Sequence, residues 1–133
     1  MILLYALELA ESVSKVQVRV MVQGKGEMLV DFFRHLSPVT INTLMRQMPI
    51  HGRVTMMGDS GISVLSQITT GVEKSKSSFL RGDVAFLSIN GSICLFLKES
   101  KTTRPMNSLG KIASGIEILD KVRTGDAVTF SSN

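Results

Sequence analysis

A chain of 133 residues with 44% hydrophobic and 20% charged side chains has enough apolar surface to fold around one core, which excludes a disordered polypeptide and requires no second domain. The 15 basic and 11 acidic residues leave a formal charge of +4, a modest excess that favours acidic partners without naming one. Cys94 is the only cysteine, so no intramolecular disulfide forms. With His35 and His51 the only histidines, a His/Cys zinc site lacks ligands, and neither a metal nor a cofactor is implied.

The opening Met1-Ile2-Leu3-Leu4-Tyr5-Ala6-Leu7 is apolar, but Glu8 and Glu11 interrupt it, far short of the roughly 20 residues that span a bilayer. It also lacks the basic start and small-residue cleavage pattern of a secretory signal, so the reading is no membrane and a cytoplasmic location. Residues 1–14 read as an apolar arm or extension that packs on its own domain or on a second copy in a homodimer, because an uncovered run of this kind makes an exposed patch. Residues 15–133 make up the domain.

Val16, Val18, Val20 and Val22 alternate with Gln17, Arg19 and Met21, a period of two that marks a strand. Gln23-Gly24-Lys25-Gly26 supplies a turn, and Met28, Val30 and Phe32 continue the alternation as the second arm of a hairpin. Ser37-Pro38 reads as a helix cap followed by proline at the first position. Ile41, Leu44, Met45 and Met48 then form one apolar stripe, and Pro49 ends the helix near Met48. Arg53 to Met57 and Ile62 to Gln67 read as strands around Gly58-Asp59-Ser60-Gly61, and residues 69–78 as a polar loop.

Asp83 to Ile89 and Ser92 to Lys98 flank Asn90-Gly91, the dipeptide suited to a type I′ hairpin. Residues 98–104 are polar, Ser108 to Ala113 make a short strand, and Ser114-Gly115-Ile116-Glu117 has capping-box spacing before a helix ending at Gly125. Val128 and Phe130 lie on a last strand. The order is two strands, helix, five strands, helix, strand, which excludes alternating βαβ architecture. The expected fold is mainly β: eight strands closed into a barrel whose two helices cap its ends, with an open sandwich as the alternative of similar strand spacing.

Two segments carry a resemblance. Asn90-Gly91-Ser92 followed by Ile93-Cys94-Leu95-Phe96 resembles the Asn-Gly-Ser-Gln-Phe-Phe strand of the cyclophilins, and Leu109-Gly110-Lys111-Ile112-Ala113-Ser114-Gly115-Ile116 resembles the Phe-Gly-Lys-Val-x-x-Gly-Met stretch before their last helix. Gly82-Asp83-Val84 and Ile116 to Val122 are similar to the compact archaeal and bacterial cyclophilin-like proteins, so that the likeness runs from about Lys15 to Phe130. Cyclophilins are peptidyl-prolyl isomerases. Rotation about an amide is opposed by a barrier of about 18–20 kcal/mol, and a cation aimed at the prolyl nitrogen beside an apolar pocket lowers it without acid or nucleophile.

The resemblance places Arg53, in His51-Gly52-Arg53-Val54, at the catalytic arginine of Phe-His-Arg-Val, although Gly52 interrupts the motif. It makes Met57 and Leu95 ligand-binding residues: Met57 on the face of Arg53, and Leu95 where a pocket phenylalanine stands. Ile93 replaces the expected glutamine, and the chain has no tryptophan. The expectation is a module that binds a peptide or small molecule without efficient isomerase activity, with a working prolyl isomerase as the alternative. The basic residues Lys74, Lys76, Arg81, Lys98, Lys101 and Arg104 are spread among acidic ones rather than packed as a nucleic-acid footprint. Gly58-Asp59-Ser60-Gly61, Arg81-Gly82-Asp83 and Asn90-Gly91-Ser92 spell protease, adhesion and glycosylation motifs, but each reads better as a turn.

Overall fold

The computed structural model describes residues 14–133, so the arm expected at the N-terminus lies almost wholly outside the described residues. The strands are β1 (Lys15–Val22), β2 (Gly26–Phe33), β3 (Ile50–Met56), β4 (Gly61–Leu65), β5 (Ser75–Phe79), β6 (Asp83–Leu87), β7 (Ser92–Phe96), β8 (Ser100–Ser114) and β9 (Ala127–Ser132). Helix α1 (Pro38–Gln47) follows β2, and a 3₁₀ helix (Ile116–Lys121) precedes β9. Every pairing is antiparallel. The strand order β2-β1-β9-β3-β4-β7-β6-β8 returns to β2 through a β2–β8 ladder, so eight strands close into the expected barrel, and β5 hangs on the outer margin of β8.

Alternation fills the interior. Val18, Val20 and Val22 of β1 meet Met28, Val30 and Phe32 of β2 inside the barrel, and Ile62, Val64, Ile93, Leu95 and Phe130 continue that core around the wall. Burying a side chain of this size contributes about 1.5–3 kcal/mol. Helix α1 sends Ile41 and Leu44 into one end of the barrel. The 3₁₀ helix sends Ile118 and Leu119 into the core near Gly26, at the other end of β2. Closure is tightest where Phe32 faces Gly110, since a Cβ on Gly110 would collide with the Asp31 carbonyl oxygen.

Four local expectations are corrected. Ser37 does not cap α1: its hydroxyl donates to the Ser108 carbonyl (2.7 Å), and the helix N-terminus is capped from a distance by Glu73. The Glu73 carboxylate accepts from the Val39 amide (3.0 Å), the Thr40 amide (2.7 Å) and the Thr40 hydroxyl (2.6 Å). Buried Asn107 holds the assembly, accepting from the Glu73 amide and donating to Thr40 Oγ1 and the Gly71 carbonyl. The closing helix is 3₁₀ rather than α, and Gly115 in the left-handed region precedes it with no side-chain cap, so the capping box is not formed.

Asn90-Gly91 is not a type I′ turn, since only Gly91 has positive φ. Four residues link β6 to β7, the Gly91 amide donates to Leu87 (2.9 Å), and Asn90 Oδ1 accepts from Ser92. Finally, the polar segments 69–78 and 98–104 contain β5 and the first part of β8. Their polarity reflects a two-stranded flap with one face in solvent, and Pro105 is tolerated because β8 bulges opposite Ser77.

Two measurements test this account. Burial pushes the Glu73 carboxyl up, but the Thr40 hydroxyl and the two helix amides outweigh it and hold its pKa below 4.5. A depressed folded pKa gives stability that is complete above the ordinary value and lost as pH falls through the folded one. Glu73→Gln is expected to cost about 1–2 kcal/mol at neutral pH and to flatten the acid limb of the stability curve, read by urea unfolding at several pH values. Gly110→Ala, which forces a methyl group against the β2 backbone, is expected to cost about 1–3 kcal/mol in the same assay.

Candidate functional site

Strand β3 turns Ile50 and Val54 inward and His51, Arg53 and Thr55 outward. Arg53 is exposed, opposite Ala127 of β9, and its Nη1 donates to the Gly125 carbonyl (2.9 Å). Met57, just beyond β3, is half-buried against an outer apolar cluster of Phe79, Ala85, Cys94, Phe96 and Met106. Leu95 is 0% exposed and lies inside the barrel between Ile62 and Val84. Arg53 and Met57 therefore belong to the outer side of the wall and Leu95 to the inner side, and the three do not meet on one surface.

The residues of β7 that share the outer side with Met57 are Cys94 and Phe96, one position to either side of Leu95. Successive strand side chains point to opposite faces, so Leu95 cannot share that side. Phe96 is not open to a ligand either. Phe79 of β5 stacks on it (centroids 4.5 Å apart, planes 8° apart), and Met106 of β8 packs into the same cluster. The flap thus fills the outer face of β6 and β7 with the protein's own rings. Of the phenylalanines, only Phe33 escapes full burial, and it lies beside His35. Cys94, in the same cluster, is 1% exposed, and burial pushes its thiol up to about 12, a weak nucleophile at neutral pH.

A concave site lies where helix α1 ends. A cleft of about 520 Å³ is bounded by Gln47, Pro49, His51, Ser66, Gln67 and Thr69, and none of the residues lining it is Asp, Glu, Lys or Arg. The Met48–Pro49 peptide is cis and leads directly into β3. His51 Nδ1 is engaged by the Thr129 hydroxyl (3.1 Å), which leaves Nε2 for another partner. Gln67 has φ of 63°, a left-handed conformation that a glutamine adopts at a cost of about 1 kcal/mol or more.

Ser66 holds Gln67 there. Its amide and hydroxyl both donate to the Gly91 carbonyl (2.9 and 2.6 Å), and its oxygen accepts from the Ile68 amide (3.1 Å). Gly91 is needed for this docking, because a Cβ there would press on the Ile68 carbonyl. The sequence does not reveal Gln67 or the cleft: no motif marks a strained glutamine, and the strand expected to run to Gln67 ends at Leu65. Beyond the His51–Thr129 pair a wider groove of about 710 Å³ runs over Ala127, bordered by Met21, Lys25 and Glu27. Asp126 lies at the base of the neighbouring turn, where the Arg123 amide is the leading cause of its lowered pKa and Lys25 (3.3 Å) adds to it.

The three spelled motifs are turns. Asp59 pairs with Lys98 (2.7 Å), whose hydrogen bond and charge lower its pKa, while Arg81 grips Asp120 and Asp83 caps the Leu80 amide. Among the described residues no helix is long and apolar enough to cross a membrane.

The placements of Leu95 and Arg53 predict opposite behaviour. Leu95→Ala is expected to cost about 2–5 kcal/mol as a core truncation. Arg53→Ala is expected to cost under about 1 kcal/mol as a surface change. Denaturant unfolding of the two variants, followed by circular dichroism, makes the comparison.

Known proteins give the same architecture. The solution structure of a hypothetical protein from Archaeoglobus fulgidus superposes with a TM-score of 0.78 at 23% identity, over 90% of this chain and 96% of that one. McbB, solved in complex with tryptophan, superposes with a TM-score of 0.74 at 12% identity over 88% of this chain, which spans only 45% of McbB. At these identities both likenesses concern the fold alone. No curated protein matches the sequence. The cyclophilin-like family matches residues 16–131, nearly the whole barrel, and the chain belongs to the cyclophilin-like family.

Proposed function

We propose that the protein is a small-ligand binding module without efficient prolyl isomerase activity, and that it takes an uncharged, hydrogen-bonding molecule in the cleft around His51 and Gln67. The observation that carries this reading is the strained Gln67, held by Ser66 and Gly91 at the mouth of a polar cleft with no fixed charge. Backbone strain that the surroundings over-determine is characteristic of ligand sites. A charged ligand would lose hydration there without gaining a counter-ion, whereas amide or hydroxyl groups find partners in Gln47, Gln67, Thr69 and the His51 ring. Pro49 and Ile50 supply apolar contact.

The opposing reading, a prolyl isomerase centred on Arg53 with Met57, needs a ring pocket beside the guanidinium. The flap stacks Phe79 on Phe96 and so closes the apolar cluster that Met57 borders, and one Nη of Arg53 is turned to the Gly125 carbonyl. A proline ring without that pocket stays hydrated, and the amide barrier is lowered little.

An NMR titration decides between the readings. Uncharged amides and polyols are expected to shift the resonances of His51, Gln67 and Ile68, and Gln67→Gly to alter affinity while leaving the barrel intact. Proline-containing peptides are expected to show no catalysed cis/trans exchange. Fast exchange that disappears in Arg53→Ala would establish the enzyme instead, and charged ligands binding this cleft more tightly than neutral ones would sink the assignment.

A further inference from the structure

Outside the closed barrel, the flap presents a free margin along β5. Strand β5 stands last in the strand order and pairs only with β8, so no strand covers its far side. Ser75, Lys76, Ser77 and Ser78 are exposed, and the small serines let another backbone approach. Val72 (72% exposed) and Leu80 (56%) stand just beyond its two ends as apolar contacts.

Charge decides what can pair there. Lys74, Lys101 and Arg104 are exposed around β5 and form no ion pair among the described residues, and Lys76 makes one long ion pair with Asp83 (4.0 Å) while its ammonium lies 5.2 Å from the centre of the Phe79 ring. Glu99 is the exposed acidic residue of the flap, because Glu73 is consumed by α1. We propose that β5 is a docking edge for an extended acidic segment of a partner protein, which adds as a strand beside Lys76 with its carboxylates on Lys74, Lys101 and Arg104.

Lysine on an open edge discourages pairing with neutral or basic strands, and the same charge selects an acidic one. A second copy of this chain fits poorly, since two β5 edges would gather Lys74 and Lys76 of both copies along one ladder with no acidic residue between them. A single-stranded nucleic acid finds cations but no platform for its bases, because Phe79 is 2% exposed beneath the flap. Main-chain hydrogen bonds supply affinity in this mode, and side chains supply selectivity.

The test uses the full chain and a short capped peptide of alternating glutamate and valine, with a lysine-for-glutamate counterpart and a thymidine oligonucleotide as controls. The expected result is binding of the glutamate peptide alone, weakened by salt, with resonance shifts and slowed amide exchange across Ser75–Phe79. Reversing Lys74, Lys101 and Arg104 to glutamate is expected to weaken it about tenfold or more. If that variant melts lower than the parent, Arg104→Glu alone carries the comparison, since Arg104 lies in the bulge without a ladder partner. Preference for the lysine peptide or the oligonucleotide, shifts confined to the His51 cleft, association of the chain with itself through β5, or unchanged affinity in the reversed variant overturns the proposal.

Discussion

The approach of β8 to β2 at Gly110 and Phe32 determines most of what this protein can present to solvent. Without that contact the eight strands form an open sheet with two edges, and the alternating side chains have no defined inside. With it, the even-numbered valines of β1 and their partners become a sealed core, and His51, Arg53 and Thr55 become surface. The close approach leaves no space for a side chain at Gly110. A methyl group at this seam would have to displace the β2 backbone, so the spacing of β2 and β8 is fixed by the absence of a side chain at Gly110.

Strand β8 extends this control beyond the barrel. Its fifteen residues pair in turn with β5, β6 and β2, so one continuous segment closes the wall and also folds a flap over the outside of β6 and β7. That flap builds a second apolar cluster from Phe79, Phe96, Cys94 and Met106. It also joins loop to helix, since Asn107 binds Glu73 and Thr40 from within β8. The outer face of β6 and β7 is consequently packed by the protein itself, and concave surface lies elsewhere.

Periodicity is a local property, and it makes β1, β2 and the stripe of α1 legible, while turn residues between apolar runs locate the other barrel strands. The flap is not legible, because β5 reads Ser-Lys-Ser-Ser-Phe and its stability comes from a non-local pairing with β8 that no alternation announces. The cap of α1 is illegible for the same reason: Ser37 has the right chemistry, but a residue thirty-three positions beyond Thr40 takes the amide of Thr40. Among the candidate site residues, Arg53 and Met57 share the outer side, as their spacing of four along a strand implies. Leu95 was set by alignment to a motif, and in a strand one position of offset exchanges core for surface.

The cleft at His51 and Gln67 is made of chain ends rather than wall: the close of α1, the first residues of β3 and the stretch that leaves β4. Barrel side chains are committed by closure, because any change in their size is felt by the packed interior. Residues at the ends of elements carry no such obligation, provided their backbone is fixed. Here it is fixed from two directions, by the proline that enters β3 and by Ser66 clamped to Gly91 on the neighbouring hairpin. Side-chain identity at Gln47, Gln67 and Thr69 can therefore be tuned to a ligand while the scaffold stays unchanged, which is the arrangement expected where a rigid barrel supports recognition at its rim.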